Sequence, residues 1–315
     1  MTQISQSQVQ AFPSTNVPVL ADAKRHDGIA HEGLGALANG TELPVLGTTP
    51  QVHAYARHAD TTVRARRSAE TPPAPIELKG QREVFTDTSD KKHQIEVTGP
   101  RPTITLGGGD NQISLKDIVF AKLKAGDGNN TIDSKDILAR VILGNGNNRY
   151  TGRADFLTLG NGNNIVSGQS NYTRLGDGNN QFTGEFSDLQ IGNGNNQIRL
   201  TGATGPITLG SGSNTIDASG LSYLLKVHSN GGDTQVTNFT KNMDFHFSAG
   251  ANPANVSISQ VGNDLVVARS GSKEKLTVPG YYVSRPRVTV HAGGSMYTLH
   301  GNALGALDAG RWSRG

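Results

Sequence analysis

Large apolar residues recur in three columns around a short glycine-rich corner between residues 104 and 216. The corners begin at Gly107, Gly126, Gly144, Gly160, Gly176, Gly192 and Gly210, at spacings of 19, 18, 16, 16, 16 and 18. Immediately before each stands Leu106, Ala125, Leu143, Leu159, Leu175, Ile191 or Leu209, and two residues earlier Ile104, Leu123, Val141, Leu157, Thr173, Leu189 or Ile207. Six residues after the Gly comes Ile113, Ile132, Tyr150, Val166, Phe182, Ile198 or Ile216. Each unit therefore reads as a strand that alternates at period two, a G-x-G-x-N corner, and a second strand. A fixed period of this size marks a repeat architecture, and two short strands with two turns make one coil of a right-handed parallel β-solenoid. The expected fold class is all-β, with seven coils stacked ~4.8 Å apart in a rod ~34 Å long.

The corner chemistry is as regular as the spacing. Four residues after each Gly stands Asn: Asn111, Asn130, Asn148, Asn164, Asn180, Asn196 and Asn214. Gly and Asn tolerate the positive φ that a tight corner needs. Identical amides stacked coil on coil can bond to one another, which predicts an Asn ladder along the rod. A phosphate-binding loop would need GxGxxG or GxxxxGK[ST] ahead of a helix, and neither spacing occurs.

The flanks differ. Residues 76–105 become β-like, with Ile95 and Val97, then Ile104 and Leu106, alternating with polar residues, and are expected to form an N-terminal β cap. Residues 106–220 are the solenoid. Residues 221–315 carry strand-like pieces at 224–227, 255–259, 265–269, 276–278 and 287–290, with a turn at Gly262-Asn-Asp264, and are expected to cap the open end. Residues 1–75 hold seven of the thirteen prolines and two aromatics, Phe12 and Tyr55. They cannot bury enough apolar surface to offset ordering, so a disordered segment is expected, with the basic run Val63-Arg-Ala-Arg-Arg67 as solvated linker.

Composition narrows the function. The chain has 40 Gly, 17% charged residues and no Cys, which excludes disulfides, thiolate catalysis and Cys-bound zinc. A net charge of +3 does not mark the whole protein as a nucleic-acid binder. No run of ~18 apolar residues offers a transmembrane segment. The polar start lacks the basic and apolar regions of a Sec signal peptide, so any export is expected to use another route.

These corners resemble the nonapeptide G-G-x-G-x-D-x-U-x of RTX, the haemolysin-type calcium-binding repeat proteins. Leu159 falls at its first Gly, Gly160 at the second, Gly162 at the fourth position, Asn164 at the Asp and Val166 at the apolar U. The segment from Asp244 to Pro279, especially ANPANVSISQVGNDLVV, is similar to the domain that follows RTX repeats. The resemblance implies calcium held by Asp carboxylates and corner carbonyls, and type I export. In this chain every one of the seven Asp positions is Asn, a neutral and weaker oxygen ligand for a hard cation. Residues 106–220 hold ten acids against nine bases, without the acidic excess of a calcium-loaded rod. The remaining corner carboxylates, Asp110, Asp127 and Asp177, are the candidate metal ligands. Calcium is the candidate ion, and no cofactor is required. The polar N-terminus is similar to the leaders of type III secretion effectors.

Catalytic constellations are not evident. Asp136, Asp155, Glu185 and Asp188 lie at +10, +11, +9 and +12 from their own corner Gly, never in one column on neighbouring coils. No His occurs between 94 and 227, and His228, His246, His291 and His300 read as surface or packing residues. The column Ser114, Asp133, Thr151, Ser167, Thr183, Arg199, Asp217 suggests a polar face suited to polysaccharide. The expected function is that of a secreted, non-enzymatic bacterial virulence or host-interaction protein exported by type III or type I machinery. A host protein or cell-surface polysaccharide is the expected partner. Two alternatives stand beside it: a calcium-binding RTX protein, and a polysaccharide-binding or lyase- or epimerase-like solenoid.

Overall fold

A computed structural model describes residues 74–202, 205–299 and 305–306, which lie in one compact unit spanning 67–315. The expected disordered leader, its basic run and His300 lie outside the described residues. The architecture is a parallel β-solenoid of about nine turns.

Register makes the solenoid explicit. One inward column runs Ile76, Ile95, Ile113, Ile132, Tyr150, Val166, Phe182, Ile198, Ile216, Val236, each paired in parallel with the next. A second runs Phe85, Ile104, Leu123, Val141, Leu157, Thr173, Leu189, Ile207, Val227, Phe245, Val290. Both columns begin before the first G-x-G-x-N corner and continue past the last. Residues 76–105 thus form coils that pair in register with the repeats, and strands Leu225–Ser229, Asp233–Thr237 and Met243–His246 extend the rod beyond Gly220. The inward apolar residues persist at both ends while the corner signature is lost.

The central coils are built from single long strands: Thr131–Leu143, Arg149–Leu159, Ile165–Leu175 and Gln181–Ile191. Each bends once between its two faces. In Arg149–Leu159 the buried positions are Tyr150 and Ala154, then Leu157 and Leu159. The even-to-odd change of phase leaves Asp155 and Phe156 as two successive residues outside the core, and this is the second corner of the coil. Upstream of the matching corner in the next coil, Gly168 has φ +145°, where an added Cβ would overlap the Gly152 carbonyl oxygen of the coil before. The inner columns hold one buried polar break, Thr173, whose hydroxyl bonds that of buried Ser170.

The C-terminal end changes topology. Strands Val256–Val261, Asp264–Arg269 and Lys275–Val278 pair antiparallel, the first two joined through the two-residue turn Gly262–Asn263 with Gly262 at φ +62°. Lys275–Val278 lies along Asp233–Thr237, and the hairpin of Val288–Ala292 with Ser295–Leu299 lies along Met243–His246. Both faces of the last parallel coil are thereby paired, so its own strand edges are covered. Beneath this cap, fully buried Glu274 accepts from Ser248 N (2.7 Å), Ser248 Oγ (2.8 Å) and the Arg269 guanidinium (3.0 Å).

Candidate functional site: the ladder corner and the outward columns

The seven corner asparagines form one unbroken ladder. Asn111 Nδ2 donates to Asn130 Oδ1, and the pattern repeats through Asn148, Asn164, Asn180 and Asn196 to Asn214 at 2.8–3.1 Å. Each of the seven is buried. The same Nδ2 groups turn to carbonyls of their own corner, as Asn164 does to Gly160 O (3.0 Å) and Gly162 O (3.1 Å). The Oδ1 atoms of Asn148, Asn164, Asn180 and Asn196 also accept a backbone N–H from the coil before, as Asn180 Oδ1 does from Asn164 N (3.1 Å).

His93 completes the ladder at its N-terminal end, and sequence reasoning missed it. It precedes Asn111 by 18 residues, the same interval that separates Asn130 from Asn148. Its backbone N (3.1 Å) and Nδ1 (3.0 Å) meet Asn111 Oδ1, as a preceding Asn would, and Nε2 meets Asp87 Oδ2 at 2.9 Å. Both ring nitrogens thus face a side-chain oxygen. Hydrogen bonds from Ser89, and then from His93, hold the Asp87 carboxyl well below the usual carboxylate range.

Two further ladders line the exposed side of the corner, and they contain the candidate metal ligands. Asp110 Oδ1 accepts Asn129 N (2.7 Å), and the chain continues through Asn147, Asn163, Asn179 and Asn195 to Ser213. Asp127 Oδ1 accepts Asn145 N (2.7 Å), followed by Asn161, Asp177, Asn193 and Ser211. Asp110, Asp127 and Asp177 thus each accept the backbone N–H of the next coil, as the Asn residues in their columns do. Among the described residues, no three His, Asp or Glu side chains gather as a metal-binding group.

The acids weighed as catalysts do not converge. Asp136 accepts Ile118 N, Asp155 accepts Asn171 Nδ2, Glu185 accepts Gln169 Nε2, and Asp188 accepts Gln190 Nε2. The hydroxyl-containing column from Ser114 to Asp217 does stand in register on one outward face. On the other face, an outward column four residues before each corner Gly reads Thr103, Lys122, Arg140, Phe156, Tyr172, Asp188. In it the Phe156 and Tyr172 rings stack (5.1 Å, 8°), and the Arg140 guanidinium lies 5.9 Å from the Phe156 centroid.

The same face ends in three stacked imidazoles. His228 and His246 are 4.3 Å apart by centroid, and His246 and His291 are 3.8 Å apart. Desolvation first, and then the neighbouring His291 and His228, push the His246 ring down to about 4. Burial likewise lowers His291.

Fold and corner together define a parallel β-solenoid braced by amide ladders. No protein-family model matches the chain, and no curated protein matches it.

Proposed function

We propose that this chain is a secreted, non-enzymatic bacterial host-interaction protein, a degenerate RTX-like solenoid that needs no calcium and displays its outward faces to a partner. The observation that carries the reading is the orientation of the ladder amides. A hard cation needs several converging oxygens. At each interior corner the Asn Nδ2 donates to the two Gly carbonyls and to the next Asn Oδ1, so those oxygens are already engaged and a donor stands among them. A rod held by side-chain amides gives rigid, regularly spaced faces in any ionic setting. Export through type III or type I machinery accords with the polar start and the RTX-like tail, and the partner is a host protein or cell-surface polysaccharide.

The test is a calorimetric calcium titration with unfolding followed in EGTA and in calcium. The reading expects no binding heat and an unchanged unfolding midpoint. Heat with a raised midpoint would restore the calcium-binding alternative. Export is tested by following the chain in culture medium with and without residues 1–75: loss on their removal assigns the type III route, export kept without them assigns the type I route, and no export of the full chain overturns the reading.

A further inference from the structure

We propose that the second-corner edge of the N-terminal coils docks on an anionic lipid surface. Two kinds of side chain meet there. Val84, Val119, Phe120, Ile137, Phe156 and Tyr172 are 39–71% exposed, whereas a folded chain usually scatters such residues singly. Along this edge they fall in three pairs: Val119 pairs with Ile137, Phe156 pairs with Tyr172, and Val84 and Phe120 line one shallow groove.

Cations are interleaved with them. Arg82, Arg101 and Lys122 line that groove, and Arg140 follows Lys122 in register. Lys124 and Arg174 stand in the next outward column, and Arg153 stands beside Ile137. None of these seven belongs to an ion pair among the described residues. The same edge carries four acids, Asp117, Asp136, Asp155 and, beside Tyr172, Asp188. Three of them are already engaged, by Ile118 N, Asn171 Nδ2 and Gln190 Nε2, and the edge keeps an excess of three cations.

The apolar component selects the partner. A soluble polyanion would use the cations and gain nothing from Val84, Val119 or Ile137. Phe156 and Tyr172 turn their faces on each other, and Arg140 covers Phe156, so the stack does not offer both rings as platforms for a base or sugar. A lipid surface uses both chemistries, with apolar side chains entering the interface and cations meeting anionic headgroups. The inference goes beyond the partners named for the displayed faces and rests on the display reading. Lipid binding and calcium independence are read by different measurements, so each can fail alone.

The test uses the full chain with sedimented vesicles of phosphatidylcholine, with and without phosphatidylglycerol. Binding is expected only to the anionic vesicles and should weaken with added salt. Each cation near such a surface contributes roughly fivefold in partitioning, so Lys122→Glu with Arg140→Glu should lower it at least ~25-fold. Phe120→Ser with Phe156→Ser should lower it at constant charge. Arg149→Glu with Ile165→Ser, on the opposite face, should leave it unchanged. All three variants alter outward side chains, and matching unfolding midpoints establish that they remain folded. Four results would each overturn the proposal: no vesicle binding, equal loss in the opposite-face variant, patch-dependent binding to soluble heparin but not to vesicles, or patch variants that dissociate a dimer instead.

Discussion

Asn164→Asp exchanges one NH₂ for one oxygen at a fully buried site and changes nothing else in shape. In the wild type, that NH₂ donates to Gly160 O, Gly162 O and Asn180 Oδ1 at 3.0, 3.1 and 2.9 Å. An ionised Asp would point an oxygen at all three acceptors. Three lost bonds cost ~1 kcal/mol each, and an uncompensated buried charge adds several more. Protonating the carboxyl restores one donor and limits the loss to about 2–3 kcal/mol. Keeping that proton at pH 7 against an unfolded value near 3.9 costs up to about 4 kcal/mol more. The expected destabilisation is therefore about 4–7 kcal/mol at pH 7 and about 2–3 kcal/mol near pH 4. The sign follows from a folded-state value raised above the unfolded one. The folded variant then binds more protons, so its stability relative to wild type rises as pH falls. Asn164→Ala should cost about 3 kcal/mol with no such slope. Urea unfolding followed by circular dichroism at both pH values, in EGTA, measures all three proteins. An Asn164→Asp protein within ~1 kcal/mol of wild type at pH 7 would refute the ladder account. Full rescue by calcium would show that the corner oxygens form a cation cage after all.

Three other outcomes follow from particular contacts. His93→Ala should lose about 2 kcal/mol, because it strips Asn111 Oδ1 of its ring contact and leaves Asp87 with Ser89 N only, while His93→Asn should keep most of that stability; urea midpoints decide between them. The folded value of His246 is depressed to about 4, so its contribution is present above the ordinary value near 6.5 and is lost as pH falls towards 4. The ring is partly solvated and faces Lys226, Asp244, His228 and His291, so about 1 kcal/mol is expected after screening. His246→Gln should flatten the fall in melting temperature between pH 7 and 4.5. Glu274→Ala leaves two Ser248 donors unmatched and the Arg269 guanidinium with Ser248 Oγ but no carboxylate, and should cost about 3 kcal/mol by thermal unfolding.

How far the sequence was legible depended on whether chemistry repeated along with position. The Asn corner repeats both, so coil, inward columns and ladder could all be read from Gly107 to Asn214. The coils on either side keep the inward positions, such as Ile95 at one end and Val227 and Phe245 at the other, but lose the corner residues. Without that marker they read as caps, although they pair in register with the repeats. The bend at Asp155–Phe156 has no dedicated residue type and is visible only as a change of phase in burial. The outward column of Lys122, Arg140, Phe156, Tyr172 and Asp188 repeats in position alone. Its members share nothing but their distance from the next Gly, and neither composition nor motif reveals them as neighbours.

The ladders also have direction, and direction explains how the rod ends. In the inner ladder the preceding coil donates and the following coil accepts. In both outer ladders the preceding coil accepts and the following backbone donates. An inner ladder that simply stopped at Asn111 would leave a buried Oδ1 calling for two donors, at a cost of about 1–3 kcal/mol. His93 supplies both from one residue, and Asp87 secures the ring from behind. At the other end the next position in the column is Thr234, paired with Asn214. There Asn214 Nδ2 reaches only its own corner carbonyls, Gly210 O (3.4 Å) and Gly212 O (3.5 Å), and the buried Thr234 hydroxyl has no hydrogen-bond partner among the described residues. A dedicated residue thus meets the donor requirement where the corner begins, whereas at the far end the last amide turns back on its own corner and the hydroxyl at the next position stays unpaired. That accounts for a titratable side chain standing at the first rung of an otherwise uncharged amide column.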